Sequence, residues 1–353
     1  MVPGPNAVTN GRTTSLLESN AVANGRAAPS RTLLGPAVLG VIFISLYFSP
    51  DLLNAGLLFL IGMTLIQSIF ALSWNLLFGF TGLASFGHAG FYAIGAYFTG
   101  AALRYDFHLP FFVILVLSAV FGAIVAYIIG KVALKRLTGI FLAVLTVALT
   151  EALGKIIGFT PALGEQDGLG NIPRPVIDLG LVTFDLAHSS DYLRFLLIAC
   201  ALIIGAMWWV VHSWLGRIFR AIREDADRAQ FVGIDVARYR IISFMISGGT
   251  AALAGALSAP WTRIVTLDQV NWLASTQPIL NSLLGGFTSF WGPVVGSVVF
   301  TAINYWTRTF AGLAEMLVGG VLVVIILVAP AGIIGLLNSL RRRIAWDRGR
   351  VGK

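Results

Sequence analysis

The chain has 353 residues, 57% of them hydrophobic and only 11% charged, with a mean hydropathy of +0.85. A water-soluble domain needs far more charged surface to stay dispersed, so the composition excludes that class and implies a lipid bilayer as the main solvent. The formal net charge of +8 does not point to nucleic acid, because the Lys and Arg residues sit in short segments between long apolar runs, as in the positive-inside pattern.

Residues 1–31 are rich in Gly, Asn, Ser and Ala without an apolar period and read as a disordered cytoplasmic tail lacking the apolar core of a cleaved leader. Apolar runs then follow near 33–50, 53–79, 83–103, 110–130, 137–158, 192–212, 241–260 and 312–330. A membrane-crossing helix takes about 20 residues, so an all-α polytopic membrane protein with about 8 transmembrane helices is expected over 32–340. The single cysteine, Cys200, lies inside an apolar run and reads as a buried small hydrophobe.

The stretch 276–308 is apolar but interrupted at Gly285-Gly286 and at Trp291-Gly292-Pro293. The segments around Lys131, Lys135 and Arg136, from Trp214 to Arg240, and from Arg341 to Lys353 are basic and are assigned to the cytoplasm. The loop 159–191 carries Glu165, Asp167, Asp178, Asp185 and Asp191 against Arg174 and is assigned outside. With both termini cytoplasmic, parity requires 276–308 to cross an even number of times. A broken or re-entrant helical hairpin is expected there, two short spans being the alternative.

A second interruption is the glycine-rich stretch from Phe80 to Gly90. Broken helices persist at membrane depth only where protein or a water-filled cavity covers the freed backbone groups, so Ser85, His88, Gly285 and Gly286 become candidates for a translocation pathway. Close helix packing explains the small residues equally well. Glu151 and Lys155, four apart, share a helical face: either they form a local ion pair, or Glu151 lines the pathway. The four histidines share no ligand spacing and no phosphate-binding loop is present, Gly130-Lys131 and Gly154-Lys155 being followed by Val and Ile; no cofactor, metal or catalytic residue is expected, and the chain reads as a non-enzyme.

The loop 214–240 reads as helix, with Ile218, Ile222, Ala226 and Ala229 at helical spacing and Gly233 as a stop. Its interspersed acids favour a groove on a protein partner over a lipid surface. The wording Arg220-Ala-Ile-Arg-Glu-Asp, then Val232-Gly-Ile, resembles the coupling loop of LivM-type permeases of branched-chain amino acid importers. Trp74-Asn75-Leu76 running on to Ser85-Phe86-Gly87-His88-Ala89-Gly90, Asp167-Gly168-Leu169, and Leu284-Gly285-Gly286 with Trp291-Gly292-Pro293 resemble other parts of the same permeases. The similarity runs from about Leu53 to Leu337, in the family's order. It departs at Leu163-Gly164-Glu165-Gln166, where the family often has consecutive glycines, and urea and short-amide permeases share much of the pattern.

That resemblance implies a permease subunit of an ATP-binding cassette importer in the bacterial inner membrane. It implies a second, LivH-like permease, two cytoplasmic ATPases and an external solute-binding protein as partners. It further implies that Arg217, Arg220, Arg223, Glu224, Asp225, Ala226 and Gly233 couple the chain to the ATPases. An ion-coupled secondary transporter is the rival, since broken helices and an intramembrane Glu also suit one.

Overall fold

A computed structural model describes residues 47–48, 50–134, 139–178, 183–307, 316, 319–320, 323 and 332–336. The tails 1–31 and 341–353, the pair Lys135 and Arg136, and most of the expected spans 33–50 and 312–330 lie outside the described residues.

The chain runs through helices α1 (Ala55–Asn75), α2 (His88–Arg104), α3 (Phe111–Ala133) and α4 (Ile140–Gly158). Two short strands follow, β1 (Val176–Asp178) and β2 (Thr183–Asp185). The remaining helices are α5 (Ser189–His212), α6 (Trp214–Glu224), α7 (Ala226–Phe231), α8 (Val236–Thr262), α9 (Trp272–Gly285) and α10 (Gly292–Thr307). All belong to the compact unit Ser49–Lys353. Among the described residues, 5 helical stretches are long and apolar enough to cross a membrane: Ala55–Thr81, Phe111–Ala133, Ile140–Gly158, Ser189–His212 and Val236–Thr262. The protein is a helical, polytopic membrane protein.

Helix α8 is the central element, packed on α1, α2 and α3. Its approach to α2 is set by two glycines. A Cβ built on Gly95 would lie 1.8 Å from the Ala252 carbonyl oxygen, and one on Gly255 would lie 1.9 Å from that of Tyr92. Small residues bring backbones together where dispersion, not water exclusion, holds helices to one another. Buried hydroxyls cross-link the same layer: Thr99 Oγ1 with Ser118 Oγ at 2.8 Å, Ser247 Oγ donating to the Ser73 carbonyl at 2.6 Å, and Tyr192 OH donating to the Leu257 carbonyl at 3.0 Å. The opposite face of α3 exposes Val116, Val120, Ile124 and Ile128. Their spacing of four makes one apolar stripe, the kind of surface acyl chains solvate and water does not.

Three elements differ from the sequence-based expectations. The run 83–103 becomes helical only at His88, because Gly82 takes a left-handed φ of +76° and residues 83–87 leave the helix. The loop 159–191 contains an antiparallel hairpin, β1 with β2, and is tied to the α8–α9 connection. There the Leu169 and Val265 backbones exchange hydrogen bonds of 2.8 and 3.0 Å. Leu169, Ile172, Val265 and Val270 are buried there against Ala93, Ala96 and Tyr97 of α2. The third is the basic connector: instead of one helix ending at Gly233, it is two, because Asp225 adopts an extended conformation between α6 and α7.

The stretch 276–308 consists of the two short helices α9 and α10, separated by residues 286–291. They run antiparallel in close contact. A Cβ on Gly285 would fall 1.7 Å from the Gly292 carbonyl oxygen, and one on Gly296 equally close, 1.7 Å, to that of Asn281.

Candidate functional site

The connector between α5 and α8 is built from caps. Ser213 Oγ accepts the Leu215 N–H at 3.2 Å to start α6. Asp225 Oδ1 accepts the N–H groups of Asp227 and Arg228 at 3.1 and 3.0 Å to start α7, and Asp235 Oδ1 accepts that of Arg238 at 3.0 Å to start α8. Each side chain satisfies donors that the first turn of a helix leaves without partners. Helix α7 closes on Gly233: its N–H donates to the Gln230 carbonyl at 2.9 Å, and the Ile234 N–H donates to the Ala229 carbonyl at 3.1 Å. That pair of bonds is the Schellman closure, which needs a left-handed residue, and Gly233 has φ +91°. Gly216, Phe219, Ile222 and Ala229 are buried, whereas Arg217, Arg220 and Glu224 are exposed. Phe231 and Val232, beside the closing glycine, are 91% and 83% exposed.

Helix α1 does not end cleanly but widens into a π-helical turn over Leu76–Thr81. Such turns leave backbone groups without their usual partners and are frequent at functional sites. After Gly82 the chain folds back along α1, so that His88 Nε2 lies 2.8 Å from Ser73 Oγ and 3.4 Å from Ser247 Oγ. The freed backbone of this first break is satisfied from three helices. Trp74 Nε1 donates to the Ser85 carbonyl at 2.8 Å, Thr150 Oγ1 donates to the Gly87 carbonyl at 2.8 Å, and the Ala89 N–H donates to Ser275 Oγ at 3.0 Å. The imidazole of His88 is also stacked on Phe70, with ring centroids 5.6 Å apart. Ser85 Oγ and His88 Nδ1 are buried and have no partner among the described residues.

The second break, after Gly285, turns on Gly286 at φ +106°. Its Ser289 carbonyl accepts from Asn75 Nδ2 at 3.4 Å, so consecutive residues of α1 reach both breaks: Ser73 and Trp74 the first, Asn75 the second. The π-helical turn lies directly against it, with the Phe78 and Phe287 rings 5.4 Å apart.

The expected site residues thus divide into groups. Glu151 meets the start of α9 at Trp272, and the Ala89 N–H, beside His88, reaches Ser275 one turn on, whereas Ser85 and His88 themselves are held against Trp74 and Ser73 of α1. Gly285 and Gly286 stand at the other end of α9, roughly 20 Å away along the helix. Glu151 makes no ion pair with Lys155 among the described residues; its Oε1 accepts the Trp272 N–H at 2.9 Å. A carboxylate at a helix N-terminus meets unpaired N–H groups and the positive end of the dipole, an interaction that Lys155, exposed on its own helix, does not supply. Arg217, Arg220, Glu224, Asp225, Ala226 and Gly233 remain on the connector, but Arg223 turns inward. Its Nη1 donates to the Gly79 carbonyl and its guanidinium lies 5.5 Å from the centroid of the Phe287 ring.

Ser73, Thr146, Thr150, Ser247 and Ser275 were not singled out by spacing or motif, although each shapes the first break. The available signal is weak: a hydroxyl or amide inside an apolar run, which more often bonds its own preceding turn.

Residues 56–330 match the family described as branched-chain amino acid transport system, permease component. The chain is 27% identical over 305 residues to the high-affinity branched-chain amino acid transport system permease protein LivM of Salmonella typhimurium, covering 81% of this chain and 71% of that one. Identity to LivM of Escherichia coli is 26% over 305 residues, with the same 81% and 71% coverage. Identity to LivH of Escherichia coli is 23% over 312 residues, covering 82% of this chain and 96% of that one. No solved structure matches. The chain is accordingly a member of the family of permease components of branched-chain amino acid transport systems, a transport subunit and not an enzyme.

Proposed function

We propose that this chain is one of the two membrane-spanning permease subunits of an ATP-binding cassette importer, and that it translocates branched-chain amino acids delivered by an external solute-binding protein. The observation that carries this reading is the connector: two rigidly capped helices between candidate spans α5 and α8, ending in an exposed Phe231-Val232 pair. An apolar tip on a polar, capped helix suits a groove on a protein partner. In this reading a LivH-like permease completes the pore, two cytoplasmic ATPases grip the connectors, and Arg217, Arg220, Glu224, Asp225, Ala226 and Gly233 form or shape the gripped surface. About 8 spans and a re-entrant α9–α10 hairpin cross or enter the inner membrane, with both termini and the connector cytoplasmic. Ser85, His88, Gly285 and Gly286 flank the solute's path.

The test is uptake by the complete complex reconstituted in liposomes, with ATP inside and the binding protein outside. Leucine, isoleucine or valine uptake that needs both would support the proposal. Uptake driven by an ion gradient without ATP would overturn it in favour of a secondary transporter. ATP-dependent uptake restricted to urea, short amides or other amino acids would leave the machine in place and replace the solute.

A further inference from the structure

One side chain of the connector belongs to the membrane part. Arg223, in the last turn of α6, is half-buried and touches two separate segments. It donates to the carbonyl of Gly79 in the π-helical turn, covers the ring face of Phe287 in the second break, and packs over Gly82, where a Cβ would sit 3.3 Å from Arg223 Cγ. The Gly79 carbonyl lies in the last turn of its helix, where acceptors lack a donor further along the chain. The two backbone segments that Arg223 touches also touch each other: a Cβ on Gly79 would be 2.4 Å from the Phe287 carbonyl oxygen, and Asn75 Nδ2 reaches the Ser289 carbonyl. Few side chains suit such a junction. A guanidinium donates hydrogen bonds in its plane while its face rests on an aromatic ring, whereas an ammonium is a compact point charge with no plane to stack.

We infer that Arg223 is the transmission residue that ties the connector to both discontinuities of the membrane domain, so that displacement of α6 moves the π-helical end of α1 and the α9–α10 break together. Its role is to position the two breaks. The inference rests on the connector being the point where ATP-driven force enters, and it adds the route by which force leaves it. Rigid elements joined through discrete contacts can carry such coupling.

The experiment measures solute taken up per ATP hydrolysed by the complete complex in liposomes, for the wild type and for Arg223→Met, Arg223→Lys, Phe287→Leu and the Arg223→Met/Phe287→Leu pair. Loss of a charge-assisted hydrogen bond predicts that the ratio falls about tenfold in Arg223→Met. Arg223→Lys, which keeps a donor but loses the planar stack, is expected to fall in between. The double variant is expected to be no worse than the more impaired single one, because both changes break one contact. A wild-type ratio in Arg223→Met, or uptake and hydrolysis falling in proportion, would overturn the inference. Should Arg223→Met fail to assemble, Phe287→Leu decides alone, and a wild-type ratio there overturns it. If the wild-type complex itself takes up solute without ATP, the failure lies with the proposed function.

Discussion

Gly233 offers the sharpest perturbation of the connector, because everything that holds it is backbone. Its φ is +91°, its N–H closes α7 on Gln230, and among the described residues no atom beyond its chain neighbours lies within 4 Å of a Cβ built there. In Gly233→Pro the ring holds φ near −65°, the N–H is lost, and the Ile234 N–H swings away from the Ala229 carbonyl. Forcing the backbone and breaking both closing bonds costs about 3 kcal/mol, enough to shift the end of α7 about a hundredfold toward an unwound state. Gly233→Ala keeps the N–H and meets open space, so it carries only the left-handed strain of about 1 kcal/mol. Because Gly233 is exposed and outside every candidate span, both variants should insert normally. The assay pairs ATP-dependent uptake with ATP hydrolysis in the reconstituted complex. The Pro variant should lose uptake while still hydrolysing ATP, and the Ala variant should transport at a reduced rate. Normal uptake by Gly233→Pro would refute the idea that this connector must be stiff to couple.

Gly95→Val would drive a branched side chain into the Ala252 backbone, already 1.8 Å from a bare Cβ, and should lower stability by about 1–3 kcal/mol, read as a drop in the thermal unfolding midpoint in detergent. A midpoint equal to wild type would mean that α2 and α8 are not in the contact described. Glu151→Gln keeps an acceptor for the Trp272 N–H and should retain uptake at near wild-type rate, with Glu151→Ala losing about 1 kcal/mol of stability; abolished uptake in the Gln variant would instead put the charge on the solute's path. Ser85→Ala removes a buried hydroxyl that has no partner among the described residues, so stability should be unchanged or higher by up to about 1 kcal/mol, while the KM for uptake rises if the hydroxyl serves the solute. An unchanged KM in a stable Ser85→Ala variant would remove Ser85 from the pathway.

Long apolar runs separated by charged loops were sufficient to place the candidate spans among the described residues, because burial in lipid is decided residue by residue and leaves its mark on local hydropathy. Glycine marked both breaks for the same local reason: Gly286 at φ +106° and Gly82 at +76° are conformations that other residues adopt with strain. The helical spacing of Ile218, Ile222, Ala226 and Ala229 likewise marked the connector as helical, which the structure describes as α6 and α7. Only the tertiary structure decided which partner each polar group takes. Asp225 reads as one more acid on a continuous helix until its extended backbone shows it capping a second one. Glu151 has an obvious candidate four residues away and instead bonds Trp272, separated by 121 positions. Arg223 belongs by spacing to an arginine-rich surface, yet it reaches Gly79 across 144 positions. Hydrogen bonds and ring contacts are satisfied by whichever group the packing of distant helices delivers, and that delivery depends on small-residue approaches such as Gly95 on Ala252 and Gly255 on Tyr92, whose partners no local pattern encodes.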